Sequence, residues 1–268
     1  MSTDQRPSFR GGAPAILRYH FPAGFVLRWL ISAALRRRRV LAADASVLLR
    51  RYPSPTVIGA NLLPRETPFV LVLNHYERPG MRMWWTALYA VAVITERRPD
   101  VSIAWISTDR FGGWRVWGVP LVPEAAVRWF MRRVAFAYGL LILNPRDVHA
   151  AARVLRAAAL ALRRGHVVGI TPEAGNAPGL RRHLRTAWPG SGNAIAWLSR
   201  GHVPVVPIAL WEDDGGRVVV QVGKARCLDP SERDAPIAAK TNEVMRAVAA
   251  LLPDELRGPY GANAGDRP

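Results

Sequence analysis

Residues 166–173, which read HVVGITPE, place a carboxylate directly after an apolar strand. Upstream, residues 69–75 read FVLVLNH, so a second apolar strand is followed by Asn74 and His75. Continuously apolar strands are typical of parallel sheets that are covered on both faces. Open sheets of this kind bind ligands just outside the carboxyl ends of their strands. The two stretches therefore predict an α/β fold with its chemistry beside His75 and Glu173.

Segments of strand type alternate with helical segments along the rest of the chain. The clearest helix follows Asp147, which is suited to cap its first turn, and ends before Gly165. Further helices are predicted at Met83–Ile94, from Gly192 to Arg200 and at Ala235–Leu252. The segments of strand type are Phe69–Leu73, Val101–Ile106, Gly139–Leu143, His166–Thr171, Val203–Leu210 and Val218–Val222. This alternation, without internal repeats, predicts a single α/β domain with a mostly parallel central sheet flanked by helices.

Composition excludes several classes of protein and of site. Half of the 268 residues are hydrophobic, so the chain is not of the disordered class. Its one cysteine, Cys227, has no partner for a disulfide or a zinc cluster, which fits a reducing compartment. The six histidines are scattered without metal-ligand spacing, and no metal site is expected.

The net charge of +17 indicates an anionic partner. A lipid surface, a phosphorylated or coenzyme-bound substrate, an acidic carrier protein and nucleic acid would each satisfy this charge. Nucleic acid is disfavoured because no recognised binding motif accompanies the basic residues in a chain dominated by an α/β core.

The amino-terminal region concentrates both positive charge and apolar residues. The apolar stretch Phe21–Leu35 is directly followed by Arg36–Arg39. It is too short to span a bilayer, and its arginines follow the apolar run instead of preceding it as in a signal peptide. We expect an interfacial helix that inserts Phe25, Trp29 and Leu30 among lipid headgroups, with the arginines on anionic lipid. The alternative is a helix packed on the domain with a solvated arginine tail.

These observations divide the chain into three parts. Residues 1–50 form a basic, amphipathic, membrane-facing segment, residues 51–257 form the α/β domain, and residues 258–268 form a disordered tail. The expected location is peripheral, at the cytoplasmic face of a membrane.

Four short blocks occur in a characteristic order and spacing. They are residues 69–75 (FVLVLNH), 139–146 (GLLILNPR), 164–175 (RGHVVGITPEAG) and 201–210 (GHVPVVPIAL). In this order they resemble the blocks of the glycerolipid acyltransferase family, which acylates lysophosphatidic acid and related lysophospholipids. The resemblance covers residues 66–226 and implies a glycerol-3-phosphate acyltransferase-like fold for the α/β domain.

The resemblance implies an O-acyltransferase of phospholipid biosynthesis. Such an enzyme moves a fatty acyl group from acyl-CoA or an acyl-carrier-protein thioester to a hydroxyl of a lysophospholipid-like or other lipid acceptor. No metal or redox cofactor is implied, because the thioester is already activated. The family's general base is the histidine of an H-x-x-x-x-D motif, a role that falls to His75. The implied substrate-binding residues are Asn74, Arg146, Glu173, Gly175, Arg181 and Arg182.

The chain departs from the family pattern at the aspartate of this motif. Gly80 stands where the aspartate would support the imidazolium, and the nearest carboxylate is that of Glu77. We predict that Glu77 replaces the aspartate as a catalytic residue, with Asp109 and Glu173 as alternatives. If no carboxylate supports His75, either the imidazole works unaided, or the protein is a non-catalytic, membrane-associated lipid-binding relative with a degraded site.

The third block departs from the family pattern as well. Thr171 replaces a phenylalanine, and Asn176 stands where the family has an arginine that holds the acceptor phosphate. A bidentate guanidinium is hard to replace. Either one of Arg146, Arg181, Arg182 and Arg185 compensates, or the acceptor is not a phosphorylated glycerol.

Overall fold

A mostly parallel sheet forms the centre of the computed structural model, which describes residues 17–108, 115–116, 119–120, 123–143, 148–173, 182–228 and 235–261. Within these ranges seven strands join in the order β1-β9-β8-β2-β7-β3-β6, and only β8 and β9 run antiparallel. A separate two-stranded ribbon pairs β4 with β5. The strands are β1 (Thr56–Ile58), β2 (Val70–Leu73), β3 (Ile103–Ser107), β4 (Arg115–Val116), β5 (Val119–Pro120), β6 (Leu141–Ile142), β7 (Val167–Ile170), β8 (Val205–Glu212) and β9 (Val218–Val222).

Helices connect and cover these strands. In the described parts of the chain they are α1 (Ala23–Ala34), α2 (Leu41–Leu49), α3 (Met83–Arg97), α4 (Glu124–Tyr138), α5 (Val148–Arg163), α6 (Ser191–Leu198) and α7 (Ile237–Ala249). None of them is long and apolar enough to cross a membrane.

The fold predicted from sequence is confirmed. All six predicted strands form, with small differences at their ends, as β2, β3, β6, β7, β8 and β9. The central strands β2 and β7 are fully buried along their length, as their unbroken apolar sequences predict. The sequence interpretation missed α2, α4 and the short strands β1, β4 and β5. Asp147, the predicted cap of α5, lies outside the described residues.

A glycine inside β7 has a packing reason. Trp105 on β3 is the register partner of Gly169, and its ring covers the glycine. A Cβ atom on Gly169 would lie 2.4 Å from Trp105 Cε3. The indole therefore occupies the space that a side chain at position 169 would need.

Helix α1 packs on the domain with the face that we expected to meet lipid. Phe25 and Trp29 are both buried, and the rings of Trp29 and Phe130 on α4 lie 5.1 Å apart. The prediction that these two side chains enter the headgroups was wrong, because residues four apart share one helix face and this face covers the core. Leu30, named with them, is exposed.

Two of the four consecutive arginines contact the protein itself. Arg39 forms a bidentate ion pair with Asp44, with N–O distances of 2.7 and 2.6 Å, and the Tyr138 hydroxyl donates to the same carboxylate at 2.7 Å. Arg38 donates to the Phe136 carbonyl at 2.5 Å. Arg39 and Arg38 thus fasten the amino-terminal segment to α4 and its C-terminal turn.

The predicted tail at residues 258–268 begins with an ordered turn. Gly258–Tyr260 form a 3-10 helix, and the Tyr260 hydroxyl accepts the Ala187 backbone N–H at 3.1 Å. Residues 262–268 lie outside the described ranges.

Candidate active site

The strand register brings His75 and Glu173 to the same level. β2 and β7 are parallel neighbours in which Val72 is paired with Ile170. His75 and Glu173 each follow their member of this pair by three residues, so both stand at the carboxyl edge of the sheet. This is where open α/β sheets bind ligands, and it is where the sequence placed the site.

The Glu173 carboxylate joins two backbone segments. One oxygen accepts the His75 backbone N–H at 2.5 Å, and the other accepts the Arg185 backbone N–H at 2.9 Å. Glu173 is only 5% exposed, whereas His75 is half-buried. Hydrogen bonds to an ionised acceptor in a buried setting are strong. Glu173 therefore fixes the backbone at His75 and leaves part of that residue open to solvent.

Asn74 fastens the same edge to the strand on the other side of β2. Its side-chain amide donates to the Leu210 carbonyl at 2.9 Å and accepts the Leu210 N–H at 2.8 Å. The asparagine is buried, and these two side-chain hydrogen bonds continue the pairing of β2 with β8 beyond the end of β2. The sequence proposed a substrate-binding role for Asn74, and the structure gives its side chain these two bonds within the sheet.

Beyond His75, the chain is tied to the end of β8 by a buried ion pair. The Arg78 guanidinium binds both carboxylate oxygens of Glu212, and the Tyr76 hydroxyl lies 3.4 Å from one of them. The Arg78 and Glu212 side chains are 5% and 7% exposed. The hydrogen bond with Glu212 raises the pKa of Arg78. The guanidinium of Arg78 therefore remains charged at neutral pH.

Gly80, in the position of the motif aspartate, is part of a tight turn. Arg78 and Met81 exchange both backbone hydrogen bonds, at 3.1 and 3.0 Å, across Pro79 and Gly80. Gly80 has a φ of 82°, a conformation that glycine adopts without steric cost. A Cβ atom there would lie 3.0 Å from Arg18 Cγ and 3.2 Å from Arg78 Nη1. The conformation of the turn thus favours glycine over aspartate.

Glu77, the predicted substitute for that aspartate, is buried at the start of α3. Its Oε1 accepts the Met83 backbone N–H at 3.4 Å and lies 3.7 Å from Arg82 Nη1. A carboxylate is favourable at this position because the first N–H groups of a helix lack intrahelical partners. The support of His75 by Glu77 stays a prediction.

The charge of Arg182, in the segment that follows Glu173, acts near the site. Burial raises the pKa of Tyr76 to about 12, the charge of Glu212 adds to this rise, and the charges of Arg182 and Arg78 oppose it. Arg182 thus lies within electrostatic reach of the residue next to His75, and it is exposed. Arg146, Gly175 and Arg181, the other predicted binding residues, lie outside the described ranges, as do Asp109 and Asn176.

Sequence reasoning missed the ion pair of Arg78 and Glu212. The signal for Glu212 is the one that identified Glu173, a carboxylate at the end of an apolar strand. It was overlooked because the strand was predicted to end at Leu210, two residues before the observed end of β8. Arg78 carries no comparable signal, since its partner is 134 residues away.

Comparison with known proteins shows a distant structural likeness. No protein-family model matches the sequence, and no curated protein matches it. Among solved structures, the chain is similar to the 1-acyl-sn-glycerophosphate (LPA) acyltransferase PlsC from Thermotoga maritima. The identity is 15%, the alignment covers 85% of this chain and 87% of that chain, and the TM-score is 0.47. Function is therefore inferred below from the residues of this chain.

Proposed function

We propose that this protein is an acyltransferase that moves a fatty acyl group from a thioester to a hydroxyl of a lipid acceptor. The observation that carries the proposal is the pairing of His75 with Glu173 at the carboxyl ends of two neighbouring parallel strands. The four blocks that resemble the glycerolipid acyltransferases supply these two strand ends in their first and third members. The fold and the motif resemblance thus point to the same edge of the sheet.

The proposed reaction needs one general base. The His75 imidazole takes the proton of the acceptor hydroxyl while the hydroxyl oxygen attacks the thioester carbonyl carbon. The carbon–sulfur bond of the tetrahedral intermediate then breaks, and the thiolate takes the proton from the imidazolium. The products are an ester and a free thiol, so that atoms and charge balance without a metal or a redox cofactor. The acyl donor, and thus a co-substrate, is acyl-CoA or acylated acyl carrier protein.

A phosphorylated acceptor of the lysophospholipid class fits the charge beside the site. Arg182 is exposed, and its positive charge lowers the pKa of Tyr76, the residue next to His75, against the larger effect of burial. Arginine is suited to phosphate because its planar guanidinium offers two parallel donors. We propose Arg182 as a substrate-binding residue, with Arg146, Gly175 and Arg181 as further candidates from the sequence.

We also propose that the protein binds an anionic membrane from its cytoplasmic side through one surface, the α1–α4 face. Its exposed apolar residues lie on α1, at its C-terminal end and on α4. They are Leu27, Leu30, Ile31, Leu35, Trp129 and Phe130. Exposed arginines flank them at positions 28, 36, 37 and 132. Apolar side chains beside arginine match the interface of an anionic bilayer, where each arginine adds about 1 kcal/mol.

Acyl transfer to defined acceptors tests the proposal. Palmitoyl-CoA and palmitoyl-acyl carrier protein are each incubated with lysophosphatidic acid, lysophosphatidylglycerol or monoacylglycerol, and the products are separated by mass. The expected result is one acylated product that is lost in His75→Ala, with the unchanged fold checked by circular dichroism. His149→Ala, on an exposed histidine of α5, is the control. Binding of anionic vesicles without any turnover would instead support the non-catalytic lipid-binding alternative.

A further inference from the structure

The segment that carries His75 is attached to β8 on both sides of the histidine. Asn74 bonds the backbone of Leu210, and Arg78 pairs with the side chain of Glu212. Leu210 and Glu212 are two residues apart on one strand and therefore point to the same face of the sheet. With the bond from His75 to Glu173, which follows β7, residues 74–78 are held from both sides of β2.

The guanidinium group of Arg78 donates the hydrogen bonds that hold this segment. Nε and Nη2 bind the two oxygens of Glu212, while Nη1 donates to the carbonyls of Leu17 at 2.5 Å and Pro79 at 2.6 Å. A bidentate pair of this kind sets the orientation of both groups as well as their distance. Because Arg78 is the third residue after His75, its bonds hold the backbone of this segment in one arrangement.

The turn that follows completes the attachment. The Gly80 carbonyl accepts the Tyr19 backbone N–H at 2.7 Å, so the turn at Arg78–Met81 also contacts the segment before α1. The position where the family motif has its aspartate is committed to this turn and carries no side chain.

We propose that Arg78 and Glu212 are positioning residues that orient His75 in place of the missing motif aspartate. This inference rests on the proposed function of His75 as general base. The pair acts through the geometry of residues 74–78, because a general base must stand within hydrogen-bond reach of the proton it takes. A misplacement of about 1 Å lowers turnover by about a hundredfold.

A double variant separates positioning from folding. Removing one partner would leave a buried unpaired charge, so both charges are removed together in Arg78→Met with Glu212→Leu, an exchange that buried ion pairs often tolerate. The control is Arg226→Met with Glu243→Leu, which removes a more exposed ion pair of 2.7 Å. Arg226 bridges Val205 at the amino end of β8, far from the site.

The first readout does not depend on acyl transfer. The ring ¹⁵N resonances of His75, assigned with His75→Gln, report the orientation and tautomer of the imidazole. We expect them to shift and broaden in the double variant and to stay unchanged in the control. If the double variant does not fold, Arg78→Lys decides by the same readout, since lysine keeps the charge without the bidentate geometry. Unchanged His75 resonances in a folded variant would overturn the proposal.

The second readout is the split between kcat and KM for palmitoyl-CoA and lysophosphatidic acid. We expect kcat to fall about tenfold or more while KM stays within about twofold, because orientation is lost and not binding. If turnover returns to normal in the stable double variant, the pair serves folding alone and the inference fails. If the wild type transfers no acyl group at all, the proposed function fails, and the His75 resonances alone decide on positioning.

Discussion

A carboxylate oxygen of Glu173 accepts the backbone N–H of His75 across two neighbouring parallel strands. The bond joins the two residues that the sequence singled out separately, each just beyond an apolar strand. Because the second oxygen accepts the Arg185 N–H, the same carboxylate also holds the segment that presents Arg182. The candidate base and the exposed arginine proposed to bind an anionic substrate thus share one buried anchor.

Glu173→Gln tests this anchor. The glutamine amide keeps one acceptor oxygen but turns an NH₂ group toward the second backbone N–H, which leaves a buried donor unsatisfied. We expect a loss of about 1–3 kcal/mol in the free energy of unfolding, measured by urea denaturation, together with lower turnover. Glu66→Gln, at an exposed position, should leave stability within about 0.5 kcal/mol of the wild type. Equal stability of both variants would contradict an anchoring role for Glu173.

Gly80→Asp introduces the aspartate of the H-x-x-x-x-D motif that this segment resembles and, by the geometry of the turn, should harm the protein. A side chain at φ 82° is strained by about 1–2 kcal/mol, and its Cβ would lie close to Arg18 and Arg78. We therefore expect a lower melting temperature and no gain in turnover. Gly80→Ala separates the effect of the Cβ atom from that of the carboxylate and should destabilise to a similar extent. An increase in kcat for Gly80→Asp would show that the position still admits the family's catalytic carboxylate.

Most of the fold could be read from the sequence because its strands are unbroken apolar runs. The two helices that the sequence did not predict, α2 and α4, lack such a simple pattern of apolar residues. α4 exposes Trp129, Phe130 and Phe136, so its apolar residues do not mark a single buried face. α2 is a short helix whose Asp44 points inward to Arg39 and breaks the expected segregation of polar residues. In both cases tertiary contacts, or a partner surface, determine which side chains face outward.

The residues of the site that lie at strand ends could be predicted from the sequence. The contacts that depend on the register between strands could not. His75 and Glu173 follow from the rule that parallel strands gather their carboxyl ends at one edge. The pairing of Arg78 with Glu212 requires the alignment of β2 with β8, which sets Leu73 opposite Ile208. No local pattern in the sequence encodes this alignment. The conformation of Gly80 likewise became clear only from the turn that closes between Arg78 and Met81.

Glu77→Gln addresses the carboxylate predicted to support His75. Glutamine retains an oxygen that can accept the Met83 N–H, so stability should change by less than about 1 kcal/mol, the range of a charge at a helix start. If the carboxylate stabilises the imidazolium, kcat should fall about tenfold or more with little change in KM. Glu77→Ala, which also removes the helix contact, shows how much of any effect is structural. Unchanged kinetics in Glu77→Gln would reject the role.

The α1–α4 face should bind anionic membranes through only part of its arginine run. Arg36 and Arg37 are exposed, whereas Arg39 pairs with Asp44 inside the protein. Arg36→Gln with Arg37→Gln should weaken binding to vesicles containing phosphatidylserine by about 2 kcal/mol, or roughly thirtyfold, without loss of stability. Leu27→Ser with Leu30→Ser should weaken binding through lost apolar contact that salt does not screen, unlike the arginine contribution.

Arg39→Gln should have the opposite effects to the exchange of Arg36 and Arg37, with lower stability and unchanged membrane binding. It leaves the buried Asp44 without its partner, so the variant should lose stability by about 3 kcal/mol or more, a loss seen as a lower melting temperature. Its vesicle affinity, measured by flotation well below that temperature, should match the wild type, because the guanidinium is already used internally. If all four arginines contributed equally to flotation, the run would act as a solvated arm and not as a face shaped by the fold. Flotation that is insensitive to the exchange of Arg36 and Arg37 and to the leucine variant would remove the membrane assignment altogether.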